Sequence, residues 1–267
     1  MKLDSIDNGR SFDFGKTSGA YAKYRDIYPE SMYDKLIRFG IGKRCQKILD
    51  LGSGTAVLPV KLSRTGARFT ATDISENQVR HGERIVREKG IEGIDFKVCS
   101  AEATGFENDS FDAVTAVQCF QYFDAEKAAS EIYRILQPGG LFCKIFMDWL
   151  PFEDEVIGEM EALVLKYNPD WSGGGFREFK YNYPDWAEGR FSIDTIHSYN
   201  AELRFSKEAW LGRIKSCRGV GASLSESEQE AFAAEYRALL EKYPEPLHLK
   251  HQIHIEIYRS LKVGAEK

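Results

Sequence analysis

The stretch ILDLGSGTA, Ile48 to Ala56, decides the fold: an apolar run delivers Asp50, then breaks at Gly52-Ser53-Gly54 into a helical pattern. The run is the strand KILDL, Lys47 to Leu51, and the helix after the turn carries Val57, Leu58, Val60 and Leu62 before stopping at Gly66. Glycines at such a turn let a ligand come close to the backbone at a helix N-terminus. Nineteen residues after Gly54, Asp73 ends a second strand, RFTATD, where a carboxylate accepts hydrogen bonds from both hydroxyls of a ribose. A dinucleotide fingerprint G-x-G-x-x-G needs glycine at position 57, where Val57 stands, so a nucleotide-dependent oxidoreductase using NAD(P) is the weaker reading.

Outward from this turn the chain alternates strand and helix. Ser75 is expected to cap a helix running through about Lys89 and ending at Gly90. IDFKVCS reads as a third strand and FDAVTAVQCF as a fourth. Ala125 to Leu136 reads as a helix that Pro138-Gly139-Gly140 stops, and LFCKIF, Leu141 to Phe146, as a fifth strand. Strands apolar on both faces and separated by helices mean a parallel sheet covered on both sides. After Asp148 the rhythm changes. Trp149 to Arg190 holds three of the four tryptophans and the stretch Ser172-Gly173-Gly174-Gly175, and reads as an inserted cap. Further on, Ser206 caps a short helix, and Ser225 with Glu228 forms a capping box at the head of a longer one. The closing HLKHQIHIEIYRSLK alternates Ile253, Ile255 and Ile257 with His254, Glu256 and Tyr258, the pattern of an antiparallel strand completing the sheet's edge.

With these motifs in order, residues 20–147 resemble the class I S-adenosylmethionine-dependent methyltransferases, in the small-molecule group similar to ubiquinone and trans-aconitate methyltransferases. Asp50 to Thr55 match the first motif of that family, with Ala56 in place of its last glycine, a change expected to cost little because alanine is the next smallest residue. Asp73 with Ile74 matches the second motif, and Cys99-Ser100-Ala101-Glu102 the third. FDAVTAVQCFQYFD and EIYRILQPGG follow in the family's order, with Gln121 where the family often has histidine. The resemblance implies a doubly wound, Rossmann-like, seven-stranded and mostly parallel sheet with an antiparallel edge strand. It implies S-adenosylmethionine as cofactor, held by Asp50, Gly52, Ser53, Gly54, Asp73, Ile74, Ala101, Glu102 and Gln118. In AYAKYRDIYPESMYDKL, Tyr21 and Arg25 are implied to reach the methionine carboxylate. The expected division is a binding region over residues 1–148, a cap over 149–190, and residues 191–267 completing sheet and cap.

Composition narrows the function. Hydrophobic residues make up 43% and charged residues 29%, the usage of a folded domain, and a net charge of −5 gives no global attraction to phosphate backbones or anionic lipid. No apolar run reaches the roughly 20 residues a membrane span needs, and the N-terminus lacks a signal peptide's apolar stretch, so the expected location is cytoplasmic. Five scattered cysteines without a CxxC pair read as reduced thiols. His251 and His254 fall on opposite strand faces, so no metal site is expected. The expected partner is therefore a small-molecule acceptor, with no nucleic acid and no membrane, and the oligomeric state is open.

Methyl transfer from a sulfonium is an in-line displacement that needs alignment more than covalent catalysis. The acceptor is expected to be the oxygen of a carboxylate, positioned by cations such as Arg204, Arg213 or Lys215, or of a hydroxyl served by a base such as His197. No catalytic residue stands out. A non-catalytic S-adenosylmethionine binder is the alternative, motivated by Gln121 and the lack of an obvious base.

Overall fold

The structure, a computed structural model, describes residues 2–13, 24 and 27–264. Tyr21 and Arg25 lie outside them.

Strand β1 (Lys47–Leu51) exposes Lys47 and buries the other four residues, because a parallel partner flanks it on each side and both its faces are covered. On one side lies β2 (Arg68–Asp73), paired Asp50 to Ala71 and Leu51 to Thr72, and beyond it β3 (Ile94–Val98). On the other lies β4 (Phe111–Val117), with Leu51 level with Ala116. Next come β5 (Leu136–Trp149), β7 (Leu247–Ser260) and β6 (Phe191–Phe205), giving the seven-stranded order β3-β2-β1-β4-β5-β7-β6, mostly parallel with antiparallel pairing at the β7 end. The direction of strand succession reverses between β1 and β4, so their carboxyl ends frame the crevice in which doubly wound sheets bind ligands.

Helix α1 (Glu30–Arg38) precedes β1, α2 (Val57–Leu62) follows the glycine turn, and α3 (Glu76–Glu88) joins β2 to β3. The C-terminus of α3 has a clear chemical cause. Gly90, at φ +62°, lets its own N–H reach Arg87 O and that of Ile91 reach Val86 O at 3.0 Å, a Schellman closure that satisfies carbonyls the helix leaves over. Its N-terminus differs from expectation. The Ser75 side chain makes no capping bond, and the Ser75 N–H instead donates to Asp73 Oδ1 at 2.8 Å, so β2 and α3 are tied by the acid. Helix α4 (Ala125–Ile135) is capped by Asp124, which accepts from Lys127 N at 3.2 Å, and buries Ala128, Ala129, Ile132 and Ile135 against the sheet. Each Ile or Leu so buried contributes about 1.5–3 kcal/mol. Leu136, expected as the last helical residue, instead opens β5. Gly139, at φ +69°, carries the chain through an irregularity in the β4–β5 register and does not break the strand.

The closing strand is second from the edge, with β6 outside it. Its residues Ile253 to Tyr258 are buried on both faces, so the isoleucines and the alternating His254, Glu256 and Tyr258 are all enclosed. Alternation in type there is not alternation between core and water.

Two compact units share the chain. The larger comprises residues 30–146, 179–198 and 253–267; the smaller comprises 1–29, 147–178 and 199–252. Within the smaller, α5 (Glu155–Tyr167), α6 (Lys207–Lys215) and α7 (Glu226–Leu240) are capped by Asp154, Ser206 and the Ser225–Glu228 box. Their core centres on Trp210, whose indole N–H donates to Tyr236 Oη at 2.5 Å, with Trp149 6.0 Å away and Trp171 beyond it. Trp186 belongs to the larger unit's core, against Phe120, Phe142 and Tyr258. Among the described residues no helix is long and apolar enough to cross a membrane.

Candidate functional site

The glycine turn is held from three sides, and each hold follows from a residue the local sequence supplies. Gly52 and Gly54 both sit at φ +57°, in the left-handed region that favours glycine. At Gly52 the absence of a side chain also has a packing cause. A Cβ there would stand 2.9 Å from Cβ and Sγ of Cys119, just past the end of β4, and 3.4 Å from Cζ of Phe123. The Cys119 thiol in turn lies 3.1 Å from Leu51 O, and burial pushes it well above the usual thiol range, so it is an inert packing group.

Asp50 is 2% exposed and both its oxygens are taken, Oδ2 by the Ser53 hydroxyl at 2.5 Å and Oδ1 by the Thr115 hydroxyl at 2.6 Å. Burial raises its pKa to about 6 against those two hydrogen bonds. It braces the turn from behind and ties it to β4. Asp73 faces the crevice more openly. Its Oδ2 accepts from Gly54 N at 3.0 Å and its Oδ1 from Ser75 N, and burial raises its pKa although both N–H groups favour the charged form. Each oxygen keeps a second lone pair. Ile74 beside it is 65% exposed, and Val98, opposite Asp73 at the end of β3, is 47% exposed, so two apolar side chains flank the carboxylate in water.

After β3, Glu102 bonds the Ser100 hydroxyl through Oε2 and accepts Asp124 N through Oε1 at 2.9 Å, which fastens this loop to the head of α4. Ala101, 7% exposed, packs in the core beneath it. Gln118, the first residue after β4, has φ +58°, an uncommon conformation for a residue with a side chain, and its N–H is fixed by Ile145 O at 2.9 Å. The structure thus brings Asp50, Gly52, Ser53, Gly54 and Asp73 together by direct contact, with Ile74 beside Asp73. Ala101, Glu102 and Gln118 stand on the loops after β3 and β4.

Ala56 is not the cheap replacement that its size suggests. It sits at φ +63°, ψ +39°, immediately before α2. The cost lies in conformation, about 1–2 kcal/mol for a residue with a Cβ in that region.

Sequence reasoning also missed Thr72 and Thr115, whose hydroxyls bond Asp50 O and Oδ1, and Cys119 and Phe123, which shape the turn. Gly82 was missed too, and it had a signal. A glycine inside a helix costs up to about 1 kcal/mol and asks for a packing reason. That reason is Phe96 Cε1, which a Cβ would meet at 2.7 Å, with the Thr55 carbonyl carbon at 3.3 Å. Among the candidates for handling the acceptor, Arg213 is buried in the smaller unit over Trp149, and His197 lies against Phe39 in the larger unit, its pKa lowered first by burial and then by Lys35. Arg204 and Lys215 lie in the smaller unit.

A sheet of this order, with a glycine turn after β1 and an acid ending β2, resembles the core of the class I S-adenosylmethionine-dependent methyltransferases. Residues 49–143 match the family described as a methyltransferase domain, and the chain is similar to ubiquinone methyltransferases in that region. It is 36% identical over 131 residues to the ubiquinone/menaquinone biosynthesis C-methyltransferase of Pectobacterium atrosepticum, 47% of this chain and 50% of that protein. With the same enzyme of an Enterobacter strain it shares 36% identity over 137 residues, 48% and 54% of the two chains. The chain spans about half the length of these curated relatives. A candidate type II methyltransferase from Anaeromyxobacter dehalogenans shares the fold at TM-score 0.57 and 21% identity, covering 87% of this chain and 96% of that one. A candidate methyltransferase from Bacillus halodurans does so at 0.55 and 16%, covering 86% and 98%.

Proposed function

We propose that this protein transfers the methyl group of S-adenosylmethionine to a ring carbon of a small, quinone-type or phenolic acceptor. The cofactor follows from the family, and the residues fit it: a carboxylate with spare lone pairs at the end of β2, exposed apolar side chains beside it, and a turn without side chains at Gly52 and Gly54. The acceptor atom departs from the oxygen expected from sequence, because the relatives that match over this region are named C-methyltransferases.

When bound, the cofactor supplies a methyl group on a positively charged sulfur. This chain's residues bind and orient. Asp73 would accept the ribose hydroxyls, Ile74 and Val98 would offer apolar contact to the adenine, and the turn from Gly52 to Gly54 would receive the amino-acid end. Asp50 would keep that turn in place through Ser53 and Thr115. We further assign Ala101, Glu102 and Gln118 to the walls of the same site, and Tyr21 and Arg25 to its methionine end.

The observation that carries this reading is the Gly54–Asp73 contact, which joins the two nucleoside-binding motifs in one site. Isothermal titration with S-adenosylhomocysteine tests it. Micromolar binding by the native protein, at least tenfold weaker in Asp73→Asn with an unchanged unfolding midpoint, is the expected result. Absence of binding to the native protein rejects it.

A further inference from the structure

In the larger unit, where β5 and β7 are neighbours, a charged pair is enclosed by aromatic rings. Lys144 Nζ lies 3.0 Å from Glu256 Oε2, with the side chains 16% and 5% exposed. The same oxygen accepts the Tyr258 hydroxyl at 2.6 Å, and Tyr181 sets its own phenol against that of Tyr258. Rings of Phe120, Phe146 and Trp186 stand 5.7, 5.7 and 5.8 Å from the ammonium. Burial and the neighbouring carboxylate hold the Tyr258 phenol far above its ordinary pKa, so it stays protonated and donates to Glu256.

Stability does not account for such a pair. Removing two charges from water costs several kcal/mol per ion, and well-packed apolar residues of like volume generally serve a core as well or better. The pair is also incompletely used: among the described residues Glu256 Oε1 has no hydrogen-bond partner, and the ammonium's one partner atom is Glu256 Oε2. Its position is informative. Phe120 packs on Phe123 at 5.8 Å, and Phe123 Cζ lies 3.4 Å from where a Gly52 side chain would start, so the ring enclosure borders the glycine turn. Lys144 is level with Ala116, and Ala116 with Leu51, at the carboxyl ends of β4 and β1.

We propose that Lys144, Glu256 and Tyr258, walled by Phe120, Phe146 and Trp186, form the subsite that holds a hydroxylated aromatic acceptor, with the ring hydroxyl on Glu256 and Lys144. This rests on the methyltransferase reading and names its acceptor class. The hydroxyl proton passes to Glu256 Oε1, and Lys144 balances the oxyanion. Its electron pair spreads into the ring and raises the nucleophilicity of the adjacent carbon. That carbon forms the new C–C bond as the sulfur–carbon bond breaks, the bonding pair staying on sulfur. Glu256 then returns its proton to the oxygen while the methylated carbon loses its own to water, so one proton is released overall.

Equilibrium binding of 1,4-dihydroxynaphthalene under anaerobic conditions, read by tryptophan fluorescence with and without S-adenosylhomocysteine, tests the subsite. Binding of the diol at least tenfold tighter than 1,4-dimethoxynaphthalene or naphthalene is expected, with the quench lost in Trp186→Phe. Glu256→Gln and Lys144→Met are each expected to lose tenfold or more in diol affinity while retaining native S-adenosylhomocysteine affinity, which also reports folding. If either variant fails to fold, Trp186→Phe and the dimethoxy comparison still decide. Absent diol binding, equal affinity for diol and dimethoxy compound, or native diol affinity in Glu256→Gln overturns the subsite. Failure of S-adenosylhomocysteine alone to bind overturns the cofactor reading and leaves the diol measurement to judge this one.

Discussion

The turn after β1 and the ring enclosure around Lys144 are polar sites in one unit, built in opposite ways. In the turn, Asp50, Gly52, Ser53 and Gly54 are sequence neighbours. Its remaining partners, Thr72, Asp73 and Thr115, enter through the strand pairing that β1 imposes. In the enclosure, residues from positions 120, 144, 181, 186, 256 and 258 meet only because β7 lies next to β5. The difference teaches where polar groups hold a fold and where they burden it. The turn spends its hydrogen bonds on itself, whereas the enclosure keeps a charged pair with capacity to spare.

The sharpest way to break this comparison is to neutralise Lys144. Lys144→Met alone leaves the Glu256 carboxylate buried without its cation and is expected to cost about 3–5 kcal/mol in urea unfolding. Lys144→Met with Glu256→Gln is expected to recover most of that, since glutamine still accepts the Tyr258 hydroxyl and no bare charge remains. A double variant as unstable as the single one would make the pair a stability device and end the contrast.

The turn answers to packing. Gly52→Ala adds a Cβ 2.9 Å from Cys119 at a positive φ, and the two penalties together come to about 2–4 kcal/mol. Gly139→Ala, also at positive φ but with nothing within 4 Å of the added carbon, is the control and is expected to lose only about 1–2 kcal/mol. Equal losses would mean that Cys119 moves aside and that the close approach is not a constraint.

These sites were unequally legible for a physical reason. Local chemistry announces itself: Gly52, Gly54 and Asp73 could be read because a strand, a turn without side chains and a strand-end acid follow one another at fixed spacing. The parallel order could be read because KILDL and FDAVTAV are apolar on both faces. Lys144 and Glu256 could not, since nothing in LFCKIF or QIHIEIY says that the strands adjoin. The alternation in the closing strand suggested one face in water, when β6 covers that strand from outside and both faces are buried. An acid and a tyrosine at alternate positions of an otherwise apolar closing strand were the available signal. The Asp50 brace was half legible: its position was found, but its role depends on Thr115, which only the β1–β4 register supplies.

Acid sharpens the distinction between the two aspartates of the turn. Asp50 has a pKa near 6 in the fold and near 3.8 as a free side chain, so the folded state binds its proton more tightly. Its contribution to stability is therefore most favourable below about pH 4 and is lost as pH rises from about 4 to 6. At about 1.4 kcal/mol per tenfold in affinity, the change is up to about 3 kcal/mol. Asp73 adds a change of the same sign. Asp50→Asn is expected to flatten the rise in stability seen on acidification through that window, measured by urea midpoints at intervals from pH 7 to pH 4. A variant with the native slope would show that the brace is already protonated at neutral pH or is more solvated than its burial indicates.

The smallest effect isolates conformation from size. Ala56 is fully buried and left-handed, and its N–H closes the turn onto Ser53 O at 3.0 Å. Ala56→Gly removes one methyl from the core, a loss of about 0.8 kcal/mol, and adds backbone freedom to the unfolded chain, both of which oppose folding. Against these stands relief of about 1–2 kcal/mol of left-handed strain. The balance lies within about 1 kcal/mol of zero, seen as a shift of a few degrees or less in Tm. A clear loss of stability would mean that the methyl's packing outweighs the strain, and that alanine is at this position because the turn needs filling more than it needs freedom.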